Sequence, residues 1–460
     1  MVEAQSYLDS FGGQQLLDFS SPTSVLSSAF NCITSHYEVG SELLLGKIFD
    51  QIGFNKIDSI LLRHLTISRL CWPTSKLQTS DFLDKYKNID IPVHQIYRFL
   101  DDLYATHKED IQRISYEHTL SVLDGSISVV FYDVTTLYFQ IDNEDEIRKR
   151  GFSKEGKHKN PQILLGLLVS INGYPLAFDI FEGNTFEGYT MLPVIDAFRV
   201  KYNLDKLVIV ADSGLLSAKN ISELQAKGYE FILGARIKNE SKVIKDQLLA
   251  LELENDKTQI INKTDTLKLI INYSEKRAKK DRHNRERGLS RLEKQLNSGK
   301  LTKSNINNRG YNKYLKMEGE IKVSIDKEKF DLDSRWDGLK GYLTNTTLTK
   351  EEILANYNHL WKIEKAFRIS KHDLKIRPIY HRLQRRIEAH ITINFVAYKI
   401  YKELERQLKV KKANLSPEKA INIAKTIYEL KASTEDGNNI KHTLLLTEEQ
   451  RCLAKLFQFG

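Results

Sequence analysis

Two aspartates stand where the sequence predicts strands. Asp133 lies within a run rich in Val, Tyr, Phe and Thr at residues 128–139, which is typical of a strand. A carboxylate inside such a run must be ligated or hydrogen-bonded to be tolerated. Asp212 follows the apolar run Val208–Ala211, and open α/β sheets place their sites at the carboxyl ends of buried strands. If the two strands are neighbours, both carboxylates can point at one place; either aspartate alone could instead cap a turn.

A third acid, Glu364, lies in a long helix predicted from about Lys350. In a helix, several polar and aromatic side chains of this segment would lie on one side, within roughly ±40° around the helix axis. They are Tyr357, Trp361, Glu364, Arg368 and Lys371. The adjacent apolar stripe is formed by Leu360, Ile363, Phe367 and Leu374. Glu364 is therefore expected at the edge of the buried face, able to reach inward. The alternative is an ordinary amphipathic helix with a Glu364–Arg368 pair one turn apart.

The elements around the two aspartates alternate between strands and helices. Further strands are predicted at 163–171, 174–181, 206–211 and 230–235, and helices at 191–202 and 217–227. Asn172-Gly173, between two apolar runs, is a strong hairpin signal. The order β-β-β-α-β-α-β predicts an α/β fold, with a mixed five-stranded sheet flanked by helices.

A basic segment interrupts this alternation. Residues 237–345 are predicted to form an insertion subdomain. Within it, residues 276–316 carry fourteen Lys and Arg against three acids, a local net charge of 14 − 3 = +11. This stretch is either a solvated helix and loop or an electrostatic clamp on nucleic-acid phosphates. The candidate DNA-binding cations are Lys276, Arg277, Lys279, Lys280, Arg282, Arg285 and Arg287.

The remaining segments complete the predicted domain organisation. Residues 1–120 are predicted to be a helical N-terminal region that could bind DNA ends. Residues 121–236 and 346–407 form the α/β domain, and residues 408–460 form a helical C-terminal tail.

Composition excludes several classes of protein. Apolar residues make up 41% and charged residues 28% of the 460 residues, which suits a folded chain with a sizeable core. The net charge of +9 hints at a polyanionic partner. No secretory signal is expected, and the longest apolar run, 163–171, is too short to span a bilayer. The G-x4-G-K match at 151–157 is followed by His158 rather than Ser or Thr, so we predict a loop and no ATP site. Three cysteines without C-x-x-C spacing argue against a disulfide framework or zinc finger: Cys32, Cys71 and Cys452.

The spacing around Glu364 resembles that of bacterial insertion-sequence transposases of the DDE type, in the insertion-sequence-four superfamily. That group is marked by Tyr-x2-Arg-x3-Glu-x6-Lys. Three of its four positions are filled here, by Tyr357, Glu364 and Lys371. Leu360 stands where the family has Arg, and Arg368, one turn after Glu364, could supply the charge instead.

The stretches around the two aspartates are similar to the family's first and second acids. They read Tyr-Asp-Val-Thr-Thr-Leu-Tyr-Phe at Asp133 and Ala-Asp-Ser-Gly at Asp212. The resemblance extends over roughly residues 40–405. It implies an RNase H-like catalytic domain with an insertion before the helix that carries Glu364.

The resemblance also implies a function. It predicts a transposase that binds the terminal inverted repeats of its element and performs metal-dependent cleavage and strand transfer of DNA, as in cut-and-paste transposition. Asp133, Asp212 and Glu364 would be the catalytic acids. Three carboxylates repel one another unless cations neutralise them, and oxygen donors suit two Mg²⁺ or Mn²⁺ ions. The side chains expected on the DNA are Tyr357, Trp361, Arg368 and Lys371.

Double-stranded transposon ends and target DNA are the expected partners, with a homodimer on paired ends. The expected location is the cytoplasm of a bacterium, associated with the nucleoid, with no membrane and no ATP. Two alternatives stay open. One is a DNA-binding regulator of the same fold whose catalysis is lost, which the three intact acids disfavour. The other is an RNase H-like structure-specific nuclease, which the long basic segment and the N-terminal helical region fit less well.

Overall fold

The computed structural model describes residues 30–153, 156–299, 301–307, 310–318, 322–433 and 439–460. The chain divides into two compact units, Met1–Leu100 with Ile400–Gly460, and Asp101–Lys399. Asp133, Asp212 and Glu364 all belong to the second unit, so this unit positions the candidate site.

Strands and helices alternate along most of the chain. The strands are β1 (Ile33–Glu38), β2 (Val129–Tyr138), β3 (Gln162–Ser170), β4 (Pro175–Glu182), β5 (Val208–Ala211), β6 (Glu230–Ala235), β7 (Thr258–Asn262), β8 (Lys268–Tyr273), β9 (Leu315–Glu318), β10 (Lys322–Ile325), β11 (Leu339–Thr344), β12 (Tyr428–Ser433) and β13 (Asn439–Leu444). The α-helices are α1 (Lys47–Ile52), α2 (Ile60–Cys71), α3 (Lys76–Lys87), α4 (Val93–Asp102), α5 (Lys108–Val122), α6 (Met191–Tyr202), α7 (Ala218–Ala226), α8 (Lys242–Leu249), α9 (Glu275–Asn297), α10 (Lys327–Ser334), α11 (Lys350–Asn358), α12 (Trp361–Arg368), α13 (Gln384–Val410), α14 (Pro417–Ala424) and α15 (Glu448–Phe457).

A mixed sheet of eight strands forms the frame of the unit Asp101–Lys399. Its order is β4-β3-β2-β5-β6-β11-β8-β7. Strands β2, β5 and β6 are parallel, and the other neighbours are antiparallel. The five predicted strands are confirmed as β2 to β6. The predicted total of five is wrong, because β7, β8 and β11 continue the sheet beyond β6. Those three strands come from residues 237–345, which the sequence predicted to be an insertion.

Strand β3 lies between β2 and β4 in the interior of the sheet, and burial explains its largely apolar sequence. All of its residues are buried, as expected for a strand covered on both faces. The hairpin predicted at Asn172-Gly173 joins β3 to β4, and Gly173 has φ +80°, which favours glycine.

One face of the sheet carries the main hydrophobic core of this unit. Side chains alternate along each strand, so Val130, Tyr132 and Val134 of β2 point into this core. Helices α6 and α7 cover it, contributing Ile195 and Leu224 among others. Asp133, between Tyr132 and Val134, therefore belongs to the opposite face.

The predicted long helix from Lys350 is interrupted. It begins with a capping box between Thr349 and Glu352, as α11, and resumes as α12. Between the two helices, the Leu360 amide donates to the Tyr357 carbonyl at 3.0 Å, a tighter turn than that of an α-helix. This turn leaves Leu360 only 7% exposed, which confirms its place in the apolar stripe. A π-helical turn, Ile369–Asp373, follows α12.

Residues 237–345 contain several helices and strands. Besides their three sheet strands they hold the long helix α9, the antiparallel pair β9 and β10, and α10. Residues 319–321, between β9 and β10, lie outside the described residues.

The unit Met1–Leu100 with Ile400–Gly460 contains helices α1–α4, α14 and α15 and an antiparallel sheet in the order β1-β12-β13. Besides the predicted helices, the described residues of this unit therefore include strands. Strand β1 precedes the N-terminal helices, and the hairpin β12–β13 lies between the two C-terminal ones. Residues 1–29, part of the predicted N-terminal region, lie outside the described residues.

Among the described residues, no helix is long and apolar enough to cross a membrane. Cys32, Cys71 and Cys452 are free thiols. The segment 151–157, with its G-x4-G-K pattern, includes residues 154 and 155, which lie outside the described residues. On either side of them the chain forms no helix.

Candidate active site

Strand register places the two aspartates side by side. Tyr132 of β2 pairs with Ala211 of β5 in parallel, so the next residues, Asp133 and Asp212, are level on adjacent strands. Ala211 pairs in turn with Leu233 of β6, which brings Gly234 to the same level. All three positions lie on the face opposite the main core. The sequence-based hypothesis that the two aspartates belong to neighbouring strands is confirmed.

Helix α12 brings Glu364 to the same face. It contacts β2, and its buried side is formed by Ile363, Ala366 and Phe367. Glu364 is exposed on the other side of the helix. The predicted burial of Ile363 and Phe367 is confirmed, while the position of Glu364 at the edge of their stripe stays a prediction.

Asp212 and Glu364 open into one cavity of about 420 Å³, which we call the carboxylate cavity. Its walls come from the ends of β5, β6 and β11 and from α9, α11 and α12. The lining residues are Asp212, Ser213, Gly234, Ala235, Arg277, Lys340, Gly341, Tyr357, Asn358, Leu360, Trp361 and Glu364. Asp133 is not among them, although it is level with Asp212. Its Oδ1 accepts a hydrogen bond from the Val134 amide at 2.8 Å.

Tyr357 links α11 to the second aspartate. Its hydroxyl donates to Asp212 Oδ1 at 3.4 Å, a long hydrogen bond. The ring packs edge-on against Tyr342, with 4.5 Å between centroids. Burial raises the pKa of Tyr357, and the negative charges of Asp212 and Glu364 raise it further. The hydroxyl therefore keeps its proton at neutral pH and serves as a donor.

Gly234 makes room for this contact. A Cβ atom at this position would lie 2.5 Å from the Tyr357 hydroxyl and 2.9 Å from the Ser213 amide nitrogen. Any side chain here would push the tyrosine away from Asp212 or displace the chain that follows Asp212. A glycine is thus required here because Tyr357 and Ser213 approach its backbone closely.

Lys340 is a residue of the cavity that sequence reasoning missed. It lies in β11, and its ammonium nitrogen is 4.5 Å from the centroid of the Tyr357 ring. Burial lowers the pKa of Lys340 and the charge of Arg277 lowers it further, whereas Asp212 and Glu364 act in the opposite direction. Nothing in the local sequence marks this lysine, because only the pairing of β11 with β6 brings it to the site.

A second cavity, of about 550 Å³, adjoins the first, and we call it the basic cavity. The two share Ala235, Arg277, Lys340 and Gly341. The basic cavity is also lined by Arg236, Lys238, Arg285 and Lys313, by Tyr311, Tyr314 and Trp336, and by Asp281, Asp333 and Asp337. Asp333 forms ion pairs with Lys238 and Lys313. Some of this positive charge is therefore neutralised within the protein.

Helix α9 exposes most of the cations predicted to bind DNA. Lys276, Arg277, Lys279, Lys280, Arg282 and Arg287 are exposed. Arg285 differs from them, because it is 8% exposed, forms an ion pair with Asp337 and lies over the Phe330 ring. Its charge has a partner inside the protein, so we leave Arg285 out of the interface proposed below.

The other predicted DNA-binding residues lie along α12 and the turn after it. Trp361 is 52% exposed and lines the carboxylate cavity. Arg368 is exposed and Lys371 half-buried, and neither lines that cavity. No ion pair joins Arg368 to Glu364 within the described part of the chain. The alternative of a simple Glu364–Arg368 surface pair is therefore not what the helix forms.

The donor chemistry of the site suits a divalent metal ion, but the donors are not gathered into a ligand set. Carboxylate oxygens are the ligands that Mg²⁺ prefers. Within the described ranges, however, no group of three or more His, Cys, Asp or Glu side chains is arranged to hold a metal ion. Asp212 and Glu364 share a cavity with two cations, Lys340 and Arg277, in place of a third carboxylate.

Residues 124–400 match the family model of the transposase DDE domain. The match spans more than half of the 460 residues and includes all three acids, so the chain belongs to this family. Membership implies an enzyme that cuts and transfers DNA strands, and DDE transposases generally use divalent metal ions.

Two solved transposase structures share features with the chain at low identity. One is a piggyBac transposase synaptic complex with hairpin DNA, with 9% identity, a TM-score of 0.41, and coverage of 86% of this chain and 80% of that one. The other is a Mos1 transposase paired-end complex with the left transposon end, with 11% identity, a TM-score of 0.17, and coverage of 50% and 71%. These values are too low to carry an argument about this chain. Among curated proteins there is no significant match.

Proposed function

We propose that this protein is the transposase of a bacterial insertion sequence, which binds the terminal inverted repeats of its element and cuts and rejoins DNA. The observation that carries this proposal is the register of β2 and β5. This register aligns Asp133 with Asp212 on the face of the sheet where α12, which carries Glu364, packs. The match to the transposase DDE domain makes these acids the candidates for catalysis.

We assign the chain to the group with the Tyr-x2-Arg-x3-Glu-x6-Lys signature. Tyr357, Glu364 and Lys371 support this assignment, and Leu360 departs from it. We further assign β2 to β6 to an RNase H-like core, since β2, β3 and β4 run antiparallel and β5 and β6 continue in parallel beside β2. Residues 121–236 and 346–407 would form this catalytic domain, with 237–345 inserted before α12.

Asp133, Asp212 and Glu364 would hold two Mg²⁺ or Mn²⁺ ions. When bound, such ions activate the attacking oxygen and stabilise the leaving oxygen during displacement at phosphorus. Asp212 and Glu364 face one cavity, and Asp133, on the strand next to Asp212, would supply the third carboxylate. Tyr357 would orient Asp212 through its hydroxyl, which stays protonated at neutral pH.

The remaining residues would position DNA. The exposed cations of α9 would contact backbone phosphates, and Trp361 offers an exposed ring at the mouth of the carboxylate cavity. Arg368 and Lys371 would bind phosphates next to this cavity. Water would cut the element's end, and the released 3′-OH would then attack target DNA. We propose a homodimer on paired ends, acting in the bacterial cytoplasm without ATP.

Charge-removing variants of the three acids test this function. Asp133→Asn, Asp212→Asn and Glu364→Gln are expected to abolish Mg²⁺-dependent cleavage of a duplex that carries the element's inverted repeat. Binding of the duplex should persist, because phosphate contacts do not need the carboxylates. Asp205→Asn is the matched control, since Asp205 is exposed and precedes β5 at the end opposite Asp212. Cleavage at the wild-type rate by any of the three acid variants would remove that residue from the catalytic set.

One observation favours a second candidate, a DNA-binding regulator without cleavage activity. Asp133 does not line the carboxylate cavity, and the described residues contain no ready metal site. The same assay separates the candidates. A wild-type protein that binds the inverted repeat tightly but never cuts it with Mg²⁺ or Mn²⁺ would be the regulator.

A further inference from the structure

Lys340 lies in the carboxylate cavity with Asp212 and Glu364 but forms no ion pair with either of them within the described part of the chain. It precedes Tyr342 by two positions in β11, so both side chains lie on the same face of the sheet. The ammonium contacts two aromatic rings, at 4.5 Å from the Tyr357 centroid and 5.3 Å from the Tyr342 centroid. Within the described part of the chain it forms no ion pair and no hydrogen bond.

This placement costs free energy in the absence of a ligand. Lys340 is half-buried, and the negative charges of Asp212 and Glu364 offset only part of the cost of withdrawing its charge from water. The two rings offset part of that cost. They also fix the ammonium in one position, which lowers the entropy lost when an anion binds. The arrangement is therefore suited to receive an anionic group from outside.

Arg277 supplies a second cation from α9. It lines both the carboxylate cavity and the basic cavity. Among the described residues, its ion-pair partner is Asp281 on the next turn, at 3.6 Å, and its side chain is 46% exposed. The planar guanidinium therefore keeps donors available for a bidentate contact with an oxyanion. Among the described residues that line the carboxylate cavity, Arg277 and Lys340 are the cations.

We propose that Lys340 and Arg277 form a phosphate-binding site in the carboxylate cavity, which holds a phosphodiester group of the DNA strand being cut. The proposal rests on the proposed function. It also accounts for Leu360, which lines the same cavity as an apolar wall where the signature has Arg. The positive charge that the signature places on the helix of Glu364 comes instead from β11 and α9. Because Asp212 and Glu364 face the same space, a phosphate held there lies beside the proposed catalytic acids.

Cleavage of chemically modified DNA tests this site. The variants are Lys340→Gln, Lys340→Arg and, as a matched control, Lys206→Gln, which removes an exposed lysine before β5 at the end opposite Asp212. The substrates are inverted-repeat duplexes, each with one neutral methylphosphonate at a phosphate near the cut. We expect Lys340→Gln to cut unmodified duplex about 10- to 100-fold more slowly, the size of a lost charge-assisted hydrogen bond. Lys340→Arg should keep most of the activity, and Lys206→Gln all of it.

The modified duplexes then identify the contact. At the phosphate that Lys340 binds, wild type and Lys340→Gln should cut equally slowly, because the charge is already absent from the DNA. At other positions the Lys340→Gln defect should persist in full. The proposal is overturned if Lys340→Gln cuts unmodified duplex like wild type, or if its defect is the same at every modified phosphate.

A binding measurement tests the phosphate site independently of whether the protein cuts DNA. Duplex affinity is measured in EDTA over a range of salt concentrations, so no cleavage is needed. Lys340→Gln should lower the log–log salt slope by about 0.9, the value for one lost phosphate contact, and Lys206→Gln should not. If wild type never cuts but the slope changes as stated, the proposed function fails and the phosphate site stands. If Lys340→Gln only lowers the unfolding temperature and leaves the slope unchanged, Lys340 is structural and the phosphate site is refuted.

Discussion

A single methyl group at Gly234 tests the geometry of the site. In Gly234→Ala the new Cβ would lie 2.5 Å from the Tyr357 hydroxyl and 2.9 Å from the Ser213 amide nitrogen. The hydroxyl belongs to a rigid ring that is buried, and the nitrogen belongs to the backbone, so the ring or the backbone after Asp212 must move. Overpacking of this kind typically costs about 1–3 kcal/mol of stability. We also expect DNA cleavage to fall, because the hydrogen bond between Tyr357 and Asp212 is lost.

Gly214→Ala is the matched control. It makes the same change two residues after Asp212, where the nearest atom to the new Cβ is Glu187 Oε2 at 3.9 Å, an ordinary contact. A second comparison uses Tyr357→Phe, which deletes the hydroxyl. In that background Gly234→Ala should cost less, since only the contact with Ser213 remains. Stability is measured as the urea midpoint of unfolding, compared between variants whose unfolding free energy depends on urea with the same slope. Activity is measured as cleavage of an inverted-repeat duplex. The reasoning fails if Gly234→Ala matches Gly214→Ala in stability, or costs the same with and without the hydroxyl.

Three further predictions concern the helices around the site. Leu360→Ala should lose about 2–5 kcal/mol as a truncation of a buried side chain. Arg368→Ala should keep its unfolding midpoint but lower the log–log salt slope of DNA binding by about 0.9. If Leu360→Ala and Arg368→Ala were equally stable, the assignment of Leu360 to the core and of Arg368 to a phosphate contact would be contradicted. Neutralising Lys276, Lys279, Lys280, Arg282 and Arg287 on α9 should weaken binding of repeat and random duplexes alike and flatten the salt slope, whereas an unchanged slope would mean that α9 is only a solvated surface. Hydrogen bonds from Arg386 and Arg385 lower the pKa of Asp101 to about 2, so its contribution to stability is complete above about pH 4 and lost as pH falls toward 2. Asp101→Asn should therefore be less stable at pH 7, by about 1 kcal/mol for a surface pair, and the difference from wild type should shrink below pH 4.

The acids of the site were predictable because each breaks a local rule. Asp133 interrupts an apolar strand and Asp212 ends one, and such violations are visible in the sequence without knowledge of strand pairing. Their alignment depends on the register of β2 with β5, which joins segments 79 residues apart (212 − 133). Lys340 breaks no local rule, since a lysine in a strand ordinarily points to solvent. Only the pairing of β11 with β6 shows that it faces the cavity.

The errors in the predicted fold have physical causes as well. Strand β7 (Thr258–Asn262) is half polar and largely exposed, so its apolar signal is weak. Strands β1 and β12 pair across almost the whole chain, and each would be marginal without the other. The break between α11 and α12 contains no glycine or proline. Leu360, at this break, is buried, and such a tertiary contact is not reported by helical periodicity.

The way the basic segment joins the sheet limits how far this protein can be shortened. Strand β6 is hydrogen-bonded on its outer side to β11, and its central residues Phe231, Ile232 and Leu233 are fully buried. Excising residues 237–345 would turn β6 into an apolar edge strand with a free row of amide and carbonyl groups, a template for aggregation. A shortened form of this protein would therefore have to retain β11, or carry a charged replacement strand in its place.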